Sequence, residues 1–103
     1  MLVQQEMIEQ VRRLCRADES LVAAVMYGSF AVGEGDAFSD VEFALFFRDE
    51  CLPGLDRLAW VSGIAPVEML FRDDFGHYTV IFANLVRGEF HFEPASALAQ
   101  VDS

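Results

Sequence analysis

Tyr27-Gly28-Ser29, followed ten residues later by Ser39-Asp40-Val41-Glu42-Phe43-Ala44-Leu45-Phe46-Phe47, is the segment from which the fold class follows. The apolar run from Val41 to Phe47 has the length and β-branched and aromatic content of a strand. Side chains at i and i+2 of a strand leave the same face, so Asp40 and Glu42 point together while Val41 and Phe43 turn the other way, into a core. Acids form strands poorly, and two on one face repel each other unless a cation lies between them. Mg²⁺ binds through one or two carboxylates and leaves its other positions to water and phosphate oxygens. The Gly-Ser step just upstream suits a tight turn whose N–H groups and hydroxyl face a phosphate. The segment therefore predicts a metal and phosphate site at the head of a strand.

Working outward, residues 2–16 carry Leu2, Met7, Ile8, Val11 and Leu14 in an i, i+3, i+4, i+7 stripe, which predicts an amphipathic helix. Arg12, Arg13 and Arg16 fall late in it, where they complement the helix dipole. Leu21 to Tyr27 is continuously apolar and predicts a buried strand, with a short helix from Ser29 to about Val32, broken at Gly33. Beyond the acidic strand, a helix is expected after Pro53, within residues 49–61. Strands follow at 66–71, 77–85 and 88–93, with Asp73-Asp74-Phe75-Gly76 turning the chain between the first two. Residues 94–100 read as a terminal helical turn. The expected fold class is α+β, a small mixed β-sheet with flanking helices, forming one domain over residues 1–103.

With seventeen acids, seven arginines and no lysine, the formal net charge is −10. Nucleic-acid backbones are gripped by basic contacts to phosphate, so no nucleic-acid partner is expected. A metal-chelated nucleotide remains compatible, because a bound cation reverses the local charge logic at an acidic site. Cys15 and Cys51 form no metal or redox motif and are expected as free thiols. The start of the chain shows no signal-peptide pattern, and no apolar run approaches a membrane span; a soluble cytoplasmic protein with no membrane partner is expected. At 53% hydrophobic with ten phenylalanines, the chain has more apolar residues than a small domain easily buries, which predicts pairing with another chain, most simply as a homodimer.

Gly-Ser, a spacer of about ten residues and then Ser-Asp-x-(Asp/Glu) between apolar residues resembles the nucleotidyltransferase superfamily that includes DNA polymerase β. Met26-Tyr27-Gly28-Ser29-Phe30, Gly33-Glu34-Gly35-Asp36, Ser39-Asp40-Val41-Glu42-Phe43 and Leu85-Val86-Arg87-Gly88-Glu89-Phe90-His91-Phe92 look like the catalytic domain of the lincosamide nucleotidyltransferases. The resemblance implies a polymerase β palm-like fold and Mg²⁺-dependent transfer of AMP from ATP to a hydroxyl of a lincosamide antibiotic, giving antibiotic resistance. It assigns Asp40 and Glu42 to the metal, Gly28, Ser29 and Ser39 to the nucleotide, and Glu89 to the acceptor proton as general base. Glu68 and Glu93 are the other acids weighed for the base. Enzymes of this kind carry a further helical domain, so the chain is expected to be a catalytic domain without it. A different class of function stays open: a regulatory or binding subunit of the toxin-antitoxin type, or a truncated form with an incomplete acceptor site.

Several further residues have a plain structural reading beside a functional one. His91 is either structural or a neighbour of the base, His77 is expected in solvent beside its glycine turn, and Arg87 is either a surface charge or a triphosphate contact. Tyr27, Phe30 and Phe46 are expected in the core or a pocket wall. Ser39 is expected as a turn residue that also steadies Asp40.

Overall fold

A computed structural model describes residues 1–98. The elements run α1 (Val3–Ala17), β1 (Leu21–Tyr27), β2 (Val41–Phe47), α2 (Arg57–Ser62), β3 (Val67–Arg72), β4 (Tyr78–Phe82) and β5 (Arg87–Pro94), closing in a 3₁₀ turn at Ala95–Ala97. Five strands form one sheet in the order β1-β2-β5-β4-β3. The β2–β5 pair is parallel; β1–β2, β4–β5 and β3–β4 are antiparallel. The molecule is thus an α+β fold built on a mixed sheet.

Alternation along the two central strands decides the layering. Val41, Phe43, Leu45 and Phe47 of β2 and Phe90 and Phe92 of β5 are buried, joined by Val80 and Phe82 of β4. This face meets Met7, Ile8 and Val11 of α1 and Val61 of α2. Each fully buried phenylalanine or leucine here contributes about 1.5–3 kcal/mol of transfer free energy. Near the far end of α1 the Asp18 carboxylate accepts bonds from Ser20 and from the Trp60 indole N–H at 3.1 Å, tying α1 to α2. Burial opposes its ionisation, but these donors outweigh it and hold the carboxyl below its ordinary value.

Among the described residues, no helix of the core cluster packs against the opposite face. It presents Val25 and Tyr27 of β1, Glu42 of β2, Glu89, His91 and Glu93 of β5, Thr79 of β4, and Met69 and Phe71 of β3. Exposure reaches 42% at Val25, 55% at Met69 and 46% at Phe71, so this open face is partly apolar.

Four local expectations need correction. β1 is an edge strand with Val22 and Val25 exposed, because it has a neighbour on one side only. Ser29 to Val32 forms turns rather than a short helix; Gly28 C=O accepts from Ala31 N–H and Ser29 C=O from Glu34 N–H. The strand expected over 77–85 ends at Phe82, where the Asn84 side chain accepts from Val86 N–H and Leu85 takes φ 71°, turning the chain into β5. The expected helical turn over 94–100 is a 3₁₀ turn after Pro94, and residues 99 and 100 of that expectation lie outside the described residues. Among the described residues, no helix is long and apolar enough to cross a membrane.

Candidate functional site

The parallel register of β2 and β5 sets Glu42 directly beside Glu89, and the antiparallel register of β1 and β2 sets Tyr27 on the other side of Glu42. Asp40 stands one residue ahead of β2, and Arg87 opens β5 with its Nε 3.9 Å from Asp40 Oδ2. Three acids from two neighbouring strands therefore gather at one end of the open face, with one guanidinium at their rim.

The electrostatics are strained in a directed way. The Glu42 carboxyl is raised above its ordinary value by burial first, then by the charges of Glu89 and Asp40, with Arg87 and His91 only partly compensating. A carboxylate crowded by other acids is relieved by a cation. Hard oxygen donors of this kind fit a divalent ion such as Mg²⁺, so the donor chemistry fits the ion that the resemblance implies. Asp40, Glu42 and Glu89 do not, however, form a set whose donor atoms all lie within 4.8 Å of one another.

Gly28 closes β1 with φ +82°, and a Cβ at this position would overlap the Glu42 carboxylate. The left-handed backbone favours glycine, and any side chain here would also require the Glu42 carboxylate to move aside. Ser29 follows in the turn. Ser39 does not steady Asp40 through its side chain: its hydroxyl accepts from Asp36 N–H and lies 3.1 Å from Asp36 Oδ1. The segment ahead of Asp40 is instead held from below by Gln4 of α1. The Gln4 amide is 2% exposed, and its Nε2 donates to the backbone oxygens of Asp36, Ala37 and Ser39 at 3.3, 3.0 and 3.2 Å. Sequence reasoning missed Gln4; its position between Val3 and Met7, on the stripe side of the helix, was the only signal.

Glu89 has company that the sequence only half disclosed. His91 Nε2 lies 3.4 Å from Glu89 Oε1 and 2.7 Å from the Tyr27 hydroxyl. Tyr27, expected in the core or a pocket wall, thus carries its polar tip into the site. Burial, then the charges of Glu89 and Glu42, push its phenol well above the usual range, so it keeps its proton. His77 is a correction: instead of standing free in solvent it stacks on His91, with ring centroids 3.7 Å apart and planes 8° from parallel.

The other acids weighed for the base part company with the cluster. Glu68 lies exposed on β3, the far edge strand, separated from β5 by β4, or roughly 10 Å at two strand spacings. Glu93 shares the face of Glu89 but stands four residues along β5, beside the two histidines. Phe46 is buried, and Phe30 packs partly buried against the core. A cleft of about 310 Å³ between α1 and β1, lined by Ile8, Val11, Cys15, Met26 and Phe43, opens on the helix side and holds none of these acids. No protein-family model matches this chain and no curated protein matches it.

Proposed function

We propose that this chain is a nucleotidyltransferase catalytic domain of polymerase β palm-like architecture, transferring AMP from ATP to a hydroxyl of a lincosamide antibiotic. The observation that supports the reading most is the in-register pairing of Glu42 with Glu89 on adjacent parallel strands, with Asp40 at the mouth. The antibiotic acceptor rests on the sequence resemblance alone.

Asp40 and Glu42 would hold Mg²⁺, which supplies charge neutralisation at the α-phosphate and the departing pyrophosphate. Gly28 and Ser29 would line the approach of the β- and γ-phosphates, with the Glu42 carboxylate packed against the Gly28 backbone where a Cβ would stand. Arg87, paired with Asp40 at 3.9 Å and 57% exposed at its side chain, would offset phosphate charge at the rim of the site. Glu89 accepts the proton of the acceptor hydroxyl as that oxygen attacks the α-phosphorus, and pyrophosphate leaves. His91, anchored by Tyr27, orients the Glu89 carboxylate for that transfer. Most of the acceleration would come from positioning and charge neutralisation.

The test is incubation with Mg²⁺, labelled ATP and a panel of lincosamides and aminoglycosides, read as a mass gain of the acceptor. Asp40→Asn should abolish both the gain and Mg²⁺-dependent ATP binding by calorimetry. Equal ATP affinity in both proteins would end the metal assignment.

A second reading has its own support in the exposed Val25, Met69 and Phe71 on the open face, which suit a binding or regulatory subunit covered by another chain. A homodimer would cover the same surface. Light scattering across a dilution series separates the cases: a dimer at micromolar concentration supports pairing of two copies, and a monomer inactive toward every acceptor favours the second reading.

A further inference from the structure

Both histidines of the chain meet face to face on the open face of the sheet. Among the described residues, His77, His91 and Glu93 form a set whose potential ligand atoms all lie within 4.8 Å of one another. All three are half-buried, so they are partly desolvated yet reachable from solvent.

The surroundings leave each imidazole a free nitrogen. His91 Nε2 points at the Tyr27 hydroxyl, 2.7 Å away, and at Glu89 Oε1, 3.4 Å away. In the tautomer protonated on Nε2, His91 donates toward both oxygens and leaves the Nδ1 lone pair free. His77 Nδ1 lies 3.7 Å from Asp73 Oδ2, and neither ring nitrogen of His77 makes a hydrogen bond among the described residues. Asp73 is itself fixed, accepting the backbone N–H groups of Phe75 and His77 at 2.8 and 2.9 Å. Glu89 stands behind His91 within hydrogen-bonding distance, the kind of partner that orients a metal-ligating imidazole, whereas Asp73 lies near His77 without a hydrogen bond to its ring.

We propose that His77, His91 and Glu93 form a site for a first-row divalent ion of the Zn²⁺ class, separate from the Asp40 and Glu42 carboxylates. Two imidazoles and one carboxylate suit Zn²⁺, Co²⁺ or Ni²⁺ rather than Mg²⁺. Zn²⁺ lies about 2.0–2.2 Å from such donors, which calls for donor separations of about 3.3 Å. The two rings now lie stacked and nearly parallel, so at least one imidazole must tilt out of the stack for both in-plane lone pairs to converge on one ion. Three protein ligands leave a further position for water. The ion clips the turn that carries His77 to β5, joining segments that the chain otherwise links only through β4. This site shares His91 with the nucleotidyl-transfer reading but none of that reading's metal ligands, and its readout does not depend on transfer.

Co²⁺, which reports its coordination by visible absorption, is titrated into the tag-free full chain carrying Cys15→Ser and Cys51→Ser, which removes the thiols as competing ligands. One equivalent should bind with a visible band that millimolar Mg²⁺ leaves in place, and Zn²⁺ should displace it. His77→Ala and Glu93→Gln should each weaken binding tenfold or more, and Zn²⁺ should raise the melting temperature of the parent but not of these variants. Asp40→Asn should retain the band. Absence of a band at excess Co²⁺, an unchanged band in the His77→Ala/Glu93→Gln double variant, or loss of the band in Asp40→Asn would overturn the assignment.

Discussion

The Glu42 carboxylate occupies the space where a side chain on Gly28 would begin. The two residues lie on neighbouring strands, Tyr27 pairing with Glu42 in register, so the turn after β1 and the acid on β2 are built as one unit. Gly28→Ala should therefore act twice. A side chain at φ +82° costs about 1–2 kcal/mol, and Glu42 must move as well. Thermal unfolding should shift down by at least 4 °C or so, at about 4–8 °C per kcal/mol for a domain of this size. Mg²⁺-ATP affinity should fall with it. A wild-type melting temperature would show that the close approach is not held in solution.

Glu89→Gln separates chemistry from binding. The amide preserves shape but cannot take a proton, so transfer should drop about a hundredfold or more while Mg²⁺-ATP affinity stays near wild type. Parallel loss of both quantities would make Glu89 a metal ligand instead.

Gln4 is a positioning residue, acting through the three carbonyls ahead of Asp40. Gln4→Met keeps the volume and removes the donor, which should cost about 1–3 kcal/mol by stranding partly buried acceptors. Denaturant unfolding gives the stability. The Kd for Mg²⁺-ATP should rise while that of a variant altered on the exposed side of α1, Glu6→Gln, stays unchanged.

Acid and metal should act oppositely on Glu42. Its folded-state carboxyl is raised above the ordinary value of 4.5, so the folded protein binds this proton more tightly than the unfolded chain. The stability this contributes is present below the ordinary value and is lost as pH rises through the raised one. Glu42→Gln should then stabilise the metal-free protein at neutral pH, and the gain should shrink as pH falls toward 4.5. Melting curves across pH in chelator decide it; a gain that persists at the acidic end would exclude the charge explanation.

The strands at Leu21–Tyr27 and Val41–Phe47 were legible to the residue because apolar runs bounded by Gly28 and Asp40 leave little choice of ends. Glu89, His91 and Glu93 were legible as one face of a strand from alternation with Phe90 and Phe92. The turns at 29–32 were not, since a Gly-Ser step after a strand reads equally well as a helix start or as turn chemistry. The roles of His77 and Tyr27 were hidden for another reason: each depends on a partner far along the chain, and period-two patterning carries no information about which strand lies alongside.

What the amino-acid sequence determines by itself is local: the amphipathic stripe of α1, the alternation that sends phenylalanines inward and acids outward, and the candidate pairing of Asp40 with Glu42 on one face. These follow from helix and strand periodicity, which act over a few residues. The order β1-β2-β5-β4-β3 is a tertiary outcome. It seats Glu89 beside Glu42, moves Glu68 to the far edge, stacks His77 on His91 and brings Gln4 under the loop before Asp40. Those neighbours are chosen by how a single buried face closes over the phenylalanine core, a free energy summed over the whole sheet that no short segment encodes.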